Sequence, residues 1–267
     1  MTDISDQEFG QFQRFIFDAA GITLADSKKT LVASRLAMRL QRCEVASYGE
    51  YFRMLASGEQ PQEVQLAVDL LTTNETYFFR EPRHFEFLRE QLKLPGRRTD
   101  PFRIWSAAGS TGEEAYSLAM VLSDVLQGRP WEVVASDISA RVLEKARTGH
   151  YPMERAKGIP LPYLQRFCLK GDGKQEQTLL IERTLRSKVR FLQVNLNVPL
   201  PALGVFDIVF LRNVLIYFNL ETKRDVVARA LSVLRPGGFL LIGHSENLRD
   251  VTDDVHTIAP SIFQKPA

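Results

Sequence analysis

The first 71 residues show apolar positions at helical spacing and few strand signals. Gly21 is placed to end a first helix, and Asp26 or Ser27 can begin a second helix that runs to about Cys43. Helical segments over 50–55 and 63–71 complete a predicted all-helical domain, residues 1–71. The apolar positions of the first two helices are Phe9, Phe12, Phe15, Ile16, Ala19, Val32, Leu36, Leu40 and Cys43.

From residue 102 onward, short apolar strands alternate with amphipathic helices. This alternation predicts an α/β domain, residues 72–267, with a doubly wound, mostly parallel sheet. The sequence Pro236-Gly237-Gly238 predicts a turn before the fifth strand, and the last strand is expected at an antiparallel edge. The predicted strands are Phe102–Ser106, Trp131–Ser136, Val189–Val194, Phe206–Leu211, Phe239–Ile242 and Ser261–Gln264.

Residues 149–187 interrupt the alternation of strands and helices. Prolines precede a helical stretch at 161–167, and Gly171 and Gly173 then predict a hairpin turn before a strand at 179–181. We therefore predict a small inserted β subdomain with antiparallel strands.

The composition is that of a globular protein with an ample core. Of 267 residues, 45% are hydrophobic and 25% are charged, and the net charge of +2 is too small to indicate a nucleic-acid binder. The two cysteines, Cys43 and Cys168, are too far apart in the sequence to suggest a disulfide framework. The acidic N-terminus has no apolar signal region, and no apolar run reaches the roughly 18 residues of a membrane helix. We therefore expect a cytoplasmic protein without direct membrane insertion.

A turn of small residues separates the first strand from the following helix. Residues 107–112 read Ala-Ala-Gly-Ser-Thr-Gly, and Glu113 and Glu114 open the helix. A strand, a tight turn and a helix N-terminus form the nucleotide-binding corner of many α/β sheets. Two carboxylates at that position would repel a pyrophosphate but suit a ligand with a cationic end. An ordinary turn followed by helix-stabilising glutamates is the alternative.

Ligands of open α/β sheets bind outside the carboxyl ends of the strands. Asp137 ends the second strand, where it can accept hydrogen bonds from ribose hydroxyls or serve only the next helix. An acid for a ribose, amides for a base and a carboxylate near a cation describe S-adenosylmethionine better than NAD or ATP. The four histidines have no ligand-type spacing, so no metal is expected. The strand ends supply the turn 107–112, Glu114, Asp137, Asn195, Arg212, Asn213 and His244.

Cations stand out at two places before the sheet. Arg80 lies in an aromatic junction, residues 72–81, which is either a cleft wall or a linker that plugs a domain interface. On the second helix, Lys28, Arg35, Arg39 and Arg42 are spaced to share one face, and nearby in the sequence only Asp26 opposes them. That face is either a docking surface for an acidic partner or an ordinary solvated surface.

Six motifs occur in a fixed order along the chain: TNETYFFRE (73–81), WSAAGSTGEEAYSLA (105–119), ASDIS (135–139), VNL (194–196), FDIVFLRNVLIYF (206–218) and GGFLLIGHSEN (237–247). Together with the helical N-terminal domain and the inserted subdomain, they resemble the CheR-type chemotaxis-receptor glutamate methyltransferases. The resemblance implies a class I, Rossmann-like fold, S-adenosylmethionine as cofactor, S-adenosylhomocysteine as product and no metal.

The resemblance also implies roles for individual residues. The methionyl end of the cofactor would be held by Asn74, Thr76, Arg80 and Glu114, with Arg80 on its carboxylate and Glu114 on its ammonium. The ribose would bind Asp137, and the adenosine would lie along Asn195, Leu196, Arg212 and Asn213. Arg80 and Tyr217 are the implied catalytic residues, with Tyr217 near the transferred methyl group. The alternative for Tyr217 is packing beneath Phe218.

Acidic receptor regions would suit the basic face of the second helix, so Arg35, Arg39 and Arg42 are candidate substrate-binding residues. Met38 and Gln41 stand where relatives often carry further arginines. Some relatives grip a C-terminal receptor pentapeptide through a glycine-rich hairpin, and here Gln177 stands where another glycine is expected. We expect a monomer that binds the cytoplasmic domains of chemoreceptors, with the pentapeptide as a candidate partner, and that does not bind nucleic acid.

A receptor glutamate with a pKa of about 4.3 is ionised at neutral pH, so its methylation requires no general base. The enzyme would contribute mainly alignment. Two alternatives are a nucleic-acid methyltransferase and a non-catalytic module that senses the cofactor or docks to receptors. Amino-methylating nucleic-acid enzymes typically carry a Pro-Pro-Tyr/Phe motif where this chain has Arg212-Asn213-Val214.

Overall fold

The structure, a computed structural model, describes residues 3–94 and 100–267. It divides into two compact units, Met1–Thr73 with Tyr217–Lys223, and Asn74–Ile216 with Arg224–Ala267. The short segment Tyr217–Lys223 joins the helices of the first unit through backbone contacts. Phe218 forms a β-bridge with Ile22, and the Thr23 N–H donates to the Tyr217 carbonyl at 2.8 Å. Nothing in the local sequence pattern indicates this long-range attachment.

The described part of the first unit contains the predicted helical domain. Ser5 and Glu8 form a reciprocal capping box that begins the first helix, and Gly21, with a φ of 71°, ends it. The second helix begins at Lys29, after a 3₁₀ turn over Asp26–Lys28, so neither predicted cap residue is its N-cap. The helices are α1 (Asp6–Ala20), α2 (Lys29–Arg42), α3 (Tyr48–Ala56) and α4 (Pro61–Leu71).

The remainder of the chain alternates strands and helices. The sequence reading did not include the helix after Pro82, although this proline stands at the first helical position, which it favours. The elements are α5 (Pro82–Lys93), β1 (Phe102–Ser106), α6 (Glu113–Leu126), β2 (Trp131–Asp137), α7 (Ala140–Thr148), β3 (His150–Pro152), α8 (Leu161–Phe167), β4 (Cys168–Lys170), β5 (Thr178–Ile181), α9 (Arg183–Arg186), β6 (Val189–Gln193), β7 (Phe206–Leu211), α10 (Leu220–Ser232), β8 (Leu234–Ile242), β9 (His256–Ala259) and β10 (Ile262–Gln264).

The central sheet has the strand order β6-β2-β1-β7-β8-β10-β9, and its pairs are parallel except those of β10 with β8 and β9. The predicted doubly wound, mostly parallel sheet is therefore confirmed. The last strand does not lie at the edge as predicted, because β9 pairs outside it. Side chains such as Trp105, Tyr116 and Phe210 are fully buried in the core around this sheet.

The predicted turn at residues 236–238 is wrong, because β8 runs through it from Leu234. The pairing of β7 with β8 shifts register there, between Phe206 and Ile208. A Cβ on Gly238 would lie 2.9 Å from the Asp207 carbonyl oxygen, so the strand passes too close to its neighbour for any side chain. Glycine and proline thus mark an irregular strand here rather than a turn.

The inserted subdomain is present as a second, antiparallel sheet with the order β3-β5-β4. A 3₁₀ segment, Met153–Gly158, lies between β3 and α8. The Cβ position of Gly158 is 2.1 Å from the Phe78 carbonyl oxygen, so this segment packs directly on the backbone of the aromatic junction. Among the described residues, no helix is long and apolar enough to cross a bilayer.

Candidate functional site

Adjacent parallel strands bring the predicted polar residues to one edge of the sheet. Strands β6, β2, β1 and β7 are neighbours and run in the same direction. The segments that leave their carboxyl ends carry Asp137, Asn195, Arg212 and the turn 107–112. This is the edge at which ligands of doubly wound sheets bind.

The small-residue turn is held tightly against the ends of β2 and β7. Its backbone N–H groups donate to the carbonyls of Phe210 and Ser136, at 2.9 and 2.7 Å. Gly112 has a φ of 95°, and a Cβ there would lie 2.9 Å from the Tyr151 hydroxyl and 3.0 Å from the Ala146 Cβ. A side chain at Gly112 would therefore be strained and crowded. The turn and the inserted subdomain fit together only because this residue is glycine.

Asp137 fixes the backbone on both sides of the candidate ribose position. Its carboxylate accepts the Ser110 N–H at 2.9 Å and the Ser139 N–H at 3.0 Å. Ser139, rather than Asp137, caps α7, since its hydroxyl accepts the Val142 N–H. Asp137 therefore does not serve only the next helix, because it also holds the small-residue turn.

A chain of alternating charges runs beneath this edge, from Glu114 through Arg212 to Glu81. Arg212 Nη1 donates to Glu114 Oε2 at 2.9 Å, and Nη2 donates to Glu81 Oε2 at 2.9 Å and to the Arg80 carbonyl at 2.5 Å. The Arg212 side chain is only 1% exposed. The other oxygen of Glu114 accepts the Ser106 hydroxyl at 2.7 Å. The guanidinium is therefore held between two carboxylates and a carbonyl.

Burial and pairing act against each other on the two carboxylates. Burial raises the pKa of Glu114 above its usual range, although Arg212 and the Ser106 hydroxyl oppose this effect. Burial also raises the pKa of Glu81, but Arg212, Asn213 and the His244 N–H together hold it below its usual range. The charge of Glu114 thus depends on the guanidinium beside it.

The two glutamates that open α6 have different partners. Glu113 is fully buried and accepts the Thr111 hydroxyl at 2.6 Å and Arg155 Nε at 2.9 Å. Arg155 comes from the inserted subdomain and also donates to the Thr76 carbonyl at 3.0 Å. The expectation that both carboxylates face a cationic ligand is therefore corrected, because Glu113 is already paired within the protein and only Glu114 is a candidate.

Arg80 has a looser environment than Arg212. Its guanidinium donates to the Glu75 carbonyl at 2.9 Å and lies 5.6 Å from the centroid of the exposed Tyr77 ring. No buried carboxylate holds this guanidinium in the described hydrogen bonds, so it can turn toward a ligand. The neighbouring Asn74 carbonyl accepts the Ser110 hydroxyl at 2.9 Å, which ties the junction to the small-residue turn.

Asn195 and Leu196 follow β6 and are held in different ways. The Asn195 side-chain oxygen accepts the Asn197 N–H at 2.9 Å, which forms a local turn. Leu196 is buried, and its carbonyl accepts Arg229 Nη1 at 3.1 Å. Both residues therefore have a fixed backbone at the edge where the family resemblance implies the adenosine.

Glu246 was missed by sequence reasoning, although it lies in the GHSEN motif. Its carboxylate accepts the N–H groups of Gly243, Asn213 and Ile216 at 2.5, 2.9 and 3.3 Å. Asn213 has a φ of 55°, a conformation that costs free energy and persists where the surroundings impose it. Glu246 thus joins the loops that leave β7 and β8. The sequence signal that could have identified Glu246 is a glutamate in a glycine-containing loop after a strand.

Two histidines lie beside Glu81, although their spacing in the sequence does not indicate that they come together. Ligand atoms of Glu81, His84 and His244 lie within 4.8 Å of one another. His84 Nε2 lies 2.8 Å from the Ser261 hydroxyl, and His84 Nδ1 lies 3.5 Å from Glu81 Oε2. Burial and the Arg212 charge lower the pKa of His84 to about 3. The same positive charge disfavours a second cation, so we assign no metal to this cluster.

The candidate docking cations of α2 differ in how they are bound. Arg39 pairs with Glu63 through Nε at 2.8 Å and Nη2 at 2.5 Å, so the fold supplies an acid that the local sequence did not indicate. Arg35 donates to the carbonyls of Leu71 and Thr72. Arg42 is exposed. Of these three arginines, Arg42 alone is exposed in the described structure.

Tyr217 belongs to the first unit, whereas the other candidate cofactor and catalytic residues belong to the second. It ends a 3₁₀ turn, Leu215–Tyr217, and Phe218 after it is buried. Its proposed place near the methyl group remains a prediction.

The backbone conformation of the inserted hairpin is closer to the glycine-rich pattern than its amino-acid sequence indicates. Gln177, which stands where a further glycine was expected, has a φ of 64°, a conformation that glycine favours. Gly171 could not carry a side chain, because its Cβ would lie 2.0 Å from the Gln175 carbonyl oxygen. The backbone therefore keeps a glycine-like turn at a glutamine.

Comparison with known proteins agrees with this geometry. The chain is 42% identical to a chemotaxis protein methyltransferase of Salmonella typhimurium, over 97% of this chain and 90% of that protein. It is 41% identical to the Escherichia coli protein of the same name, over 91% and 85%, and 40% identical to chemotaxis protein methyltransferase 2 of Pseudomonas aeruginosa, over 96% and 92%. Family models match residues 7–72 (CheR methyltransferase, all-alpha domain) and 74–263 (CheR methyltransferase, SAM binding domain). With the two models spanning nearly all of its length, the chain belongs to the CheR methyltransferase family.

Proposed function

We propose that this protein transfers a methyl group from S-adenosylmethionine to glutamate side chains of chemoreceptors. The predicted methyltransferase activity and cofactor are confirmed by the family to which the chain belongs. The observation that supports the site assignment best is the convergence of Glu114, Asp137 and Arg212 at one sheet edge. When bound, S-adenosylmethionine supplies an electrophilic methyl group, which a glutamate carboxylate accepts to give a methyl ester and S-adenosylhomocysteine.

The residues at the edge fit a ligand of this charge pattern. Glu81, Arg212 and Glu114 together carry a net charge of about −1, which favours an ammonium group beside Glu114. Arg80 can fork onto a carboxylate, since the contacts described for its guanidinium are to a carbonyl and an aromatic ring. Asp137, whose carboxylate accepts two backbone N–H groups at the end of β2, is the proposed acceptor for the ribose hydroxyls. Asn74, Thr76, Asn195, Leu196 and Asn213 complete the proposed cofactor contacts.

The protein residues have the task of alignment rather than proton transfer. A receptor glutamate is already ionised at neutral pH, so no residue has to remove a proton from it. Arg80 and Tyr217 are the proposed catalytic residues, Arg80 by fixing the cofactor tail and Tyr217 by orienting the acceptor. Positioning of this kind can supply effective molarities on the order of 10⁵ M.

We propose the receptor cytoplasmic domain as the partner of the first unit. Arg35, Arg39 and Arg42 are the proposed substrate-binding residues, and the exposed Arg42 is the one best placed to meet an acidic surface directly. We also propose that the inserted subdomain binds the receptor C-terminal pentapeptide. Its edge strands β3 and β4 each leave one side free to pair with an extended peptide. The proposed state is a cytoplasmic monomer, which light scattering would test.

The deciding experiment uses methyl-labelled S-adenosylmethionine with chemoreceptor cytoplasmic fragments. Label released as methanol by mild base identifies a methyl ester, and base-stable label indicates N-methylation and refutes the proposal. Replacing Arg80 with alanine should weaken cofactor binding, whereas alanine at the exposed Arg83 nearby should not. Unchanged cofactor affinity in Arg80→Ala would contradict its assignment.

A further inference from the structure

Glu81 is a residue that neither the strand pattern nor the proposed cofactor contacts include. It stands at the junction between the aromatic segment and α5, with a φ of 60°, which is rare for a residue with a side chain. Backbone conformations of this kind cost free energy and persist where the surroundings fix them, often at functional sites. The side chain is only 11% exposed.

The Glu81 carboxylate ties together the segments that follow two neighbouring strands, β7 and β8. Oε2 accepts Arg212 Nη2 at 2.9 Å and Nε at 3.3 Å, which holds the side chain that follows β7. Oε1 accepts Asn213 Nδ2 at 3.1 Å and the His244 N–H at 3.2 Å, which reaches the segment that follows β8. Both oxygens are therefore committed to groups at the ends of two adjacent strands.

The Arg212 guanidinium passes this constraint to Glu114. With Nη2 and Nε fixed on Glu81, Nη1 points to Glu114 Oε2 at 2.9 Å. A planar guanidinium cannot rotate one nitrogen independently of the others, so the orientation imposed by Glu81 sets the position of the bond to Glu114. Glu114 is in turn the only carboxylate at the start of α6 that is not paired with the inserted subdomain.

We propose that Glu81 is a positioning residue that, through Arg212, holds Glu114 in place for the ammonium group of the cofactor. It also supplies the second negative charge of the Glu81–Arg212–Glu114 chain. Without it the chain is neutral, and the attraction for a cationic group falls. This inference rests on the proposed function, because it deepens the assignment of Glu114 as the ammonium contact.

The test compares two ligands that differ in the ammonium group alone. S-adenosylhomocysteine carries the ammonium, and 5′-S-(3-carboxypropyl)-5′-thioadenosine keeps the adenosine and carboxylate but lacks it. Titration calorimetry gives both Kd values for wild type, Glu81→Gln, Glu81→Asp, Glu114→Gln and the double variant. Glu86→Gln, an exposed glutamate on α5, is the matched control.

The wild type should prefer S-adenosylhomocysteine by about tenfold or more, as expected for a charge-assisted hydrogen bond. Glu114→Gln should largely remove this preference, and Glu81→Gln should reduce it by roughly threefold or more. Glu81→Asp keeps the charge and should restore part of it, and Glu86→Gln should match the wild type. Glu81→Gln should lower the preference by less in the Glu114→Gln background than in the wild type, because the part of its effect that passes through Glu114 is already lost.

The outcomes separate this inference from the assignment beneath it. A wild type without preference overturns the ammonium contact of Glu114, and the inference with it. Suppose that Glu114→Gln loses the preference as expected. If Glu81→Gln then keeps the full preference, or weakens the binding of both ligands equally, the inference alone is overturned. Should Glu81→Gln fail to fold, Arg212→Lys decides instead. Lysine keeps the charge but cannot bridge both carboxylates, so full preference in that variant is also a refutation.

Discussion

Arg39 should contribute to the stability of the first unit as well as to any receptor contact. It pairs with Glu63, and the Tyr51 hydroxyl donates to the same carboxylate at 2.6 Å. The side chains of Arg39 and Glu63 are 15% and 8% exposed. Replacing Arg39 with alanine therefore leaves a largely buried carboxylate with neutral donors only, the Tyr51 hydroxyl and the Cys43 thiol. A loss of receptor methylation in this variant would not by itself identify a docking residue.

The expected loss of stability follows from the burial of this pair. Removal of one partner of a buried ion pair typically costs 3–5 kcal/mol, and since the Tyr51 hydroxyl remains, we expect about 3 kcal/mol for Arg39→Ala. Arg42→Ala, at an exposed position on the same helix, should cost about 0.5 kcal/mol or less. Adding Glu63→Gln to Arg39→Ala should recover a large part of the loss, because it removes the unpaired charge.

The pH dependence of this pair has a definite sign. Despite burial, which raises it, the pKa of Glu63 is held below its usual 4.5 by Arg39 and Tyr51. The lowered pKa stabilises the fold above about pH 4.5, and this contribution is lost as the pH falls through the folded-state pKa. The difference between wild type and Arg39→Ala should therefore shrink under acidic conditions.

Urea unfolding can be followed separately in the two units. Trp105 and Trp131, the two tryptophans of the chain, lie in β1 and β2, so their fluorescence reports the second unit. Far-UV circular dichroism reports the helices of both. Arg39→Ala should lower the helical transition before it changes the fluorescence transition. A loss below about 1 kcal/mol, or no recovery with Glu63→Gln, would refute the reasoning.

Two further perturbations test the site itself. Gly112→Ala should destabilise the fold by about 1–3 kcal/mol more than Gly128→Ala, because both glycines have a φ near 95° but only a Cβ on Gly112 would meet other atoms within 4 Å. Urea unfolding, together with S-adenosylhomocysteine titration, would measure the difference. Equal effects of the two substitutions would contradict this reasoning. His84 has a pKa lowered to about 3 from 6.5, so the unfolded chain binds more protons between these values and stability should fall as the pH drops. His84→Gln should flatten that fall by up to about 1.4 kcal/mol per pH unit, and an unchanged slope would rule out the buried neutral ring.

Much of the fold follows from local patterns in the sequence. Periodic apolar positions and end signals such as Gly21 predict the first helices, and mostly apolar runs such as 206–211, which contains one aspartate, predict buried strands. The errors occur where one signal has two structural meanings. Gly238 permits a close approach between strands rather than a turn, and Pro82 begins a helix rather than ending a segment. Only the tertiary contact distinguishes these cases.

The sequence predicts which residues lie at the strand ends that form the site, but it predicts the contacts between these residues less well. The residues after β1, β2, β6 and β7 could be collected from the sequence, because parallel strands end at a common edge. The pairing of Arg212 with Glu81, 131 positions away, depends on how the junction folds over the sheet. Likewise, Glu63 meets Arg39 across 24 positions of the sequence, and Arg155 meets Glu113 across 42. Charge partners of this kind are set by tertiary structure, which local periodicity does not encode.

The pair of Arg155 and Glu113 allows a last prediction about the inserted subdomain. Arg155 reaches from the 3₁₀ segment Met153–Gly158 to Glu113, to the Thr111 hydroxyl and to the Thr76 carbonyl. Tyr151 adds a hydrogen bond from its hydroxyl to the Thr111 carbonyl at 2.7 Å. The subdomain therefore holds two segments that the proposed cofactor contacts require, although it supplies none of those contacts itself.

Arg155→Met should accordingly weaken cofactor binding more than it slows the bound enzyme. The Arg155 side chain is 37% exposed, so the loss of stability should be moderate, about 1–3 kcal/mol from leaving the buried Glu113 carboxylate unsatisfied. Adding Glu113→Gln should restore stability but leave cofactor affinity low, because the Thr76 carbonyl stays released. Arg166→Met, at a more exposed arginine of the same subdomain, is the control. Full cofactor affinity in Arg155→Met would show that the subdomain folds beside the site without holding it.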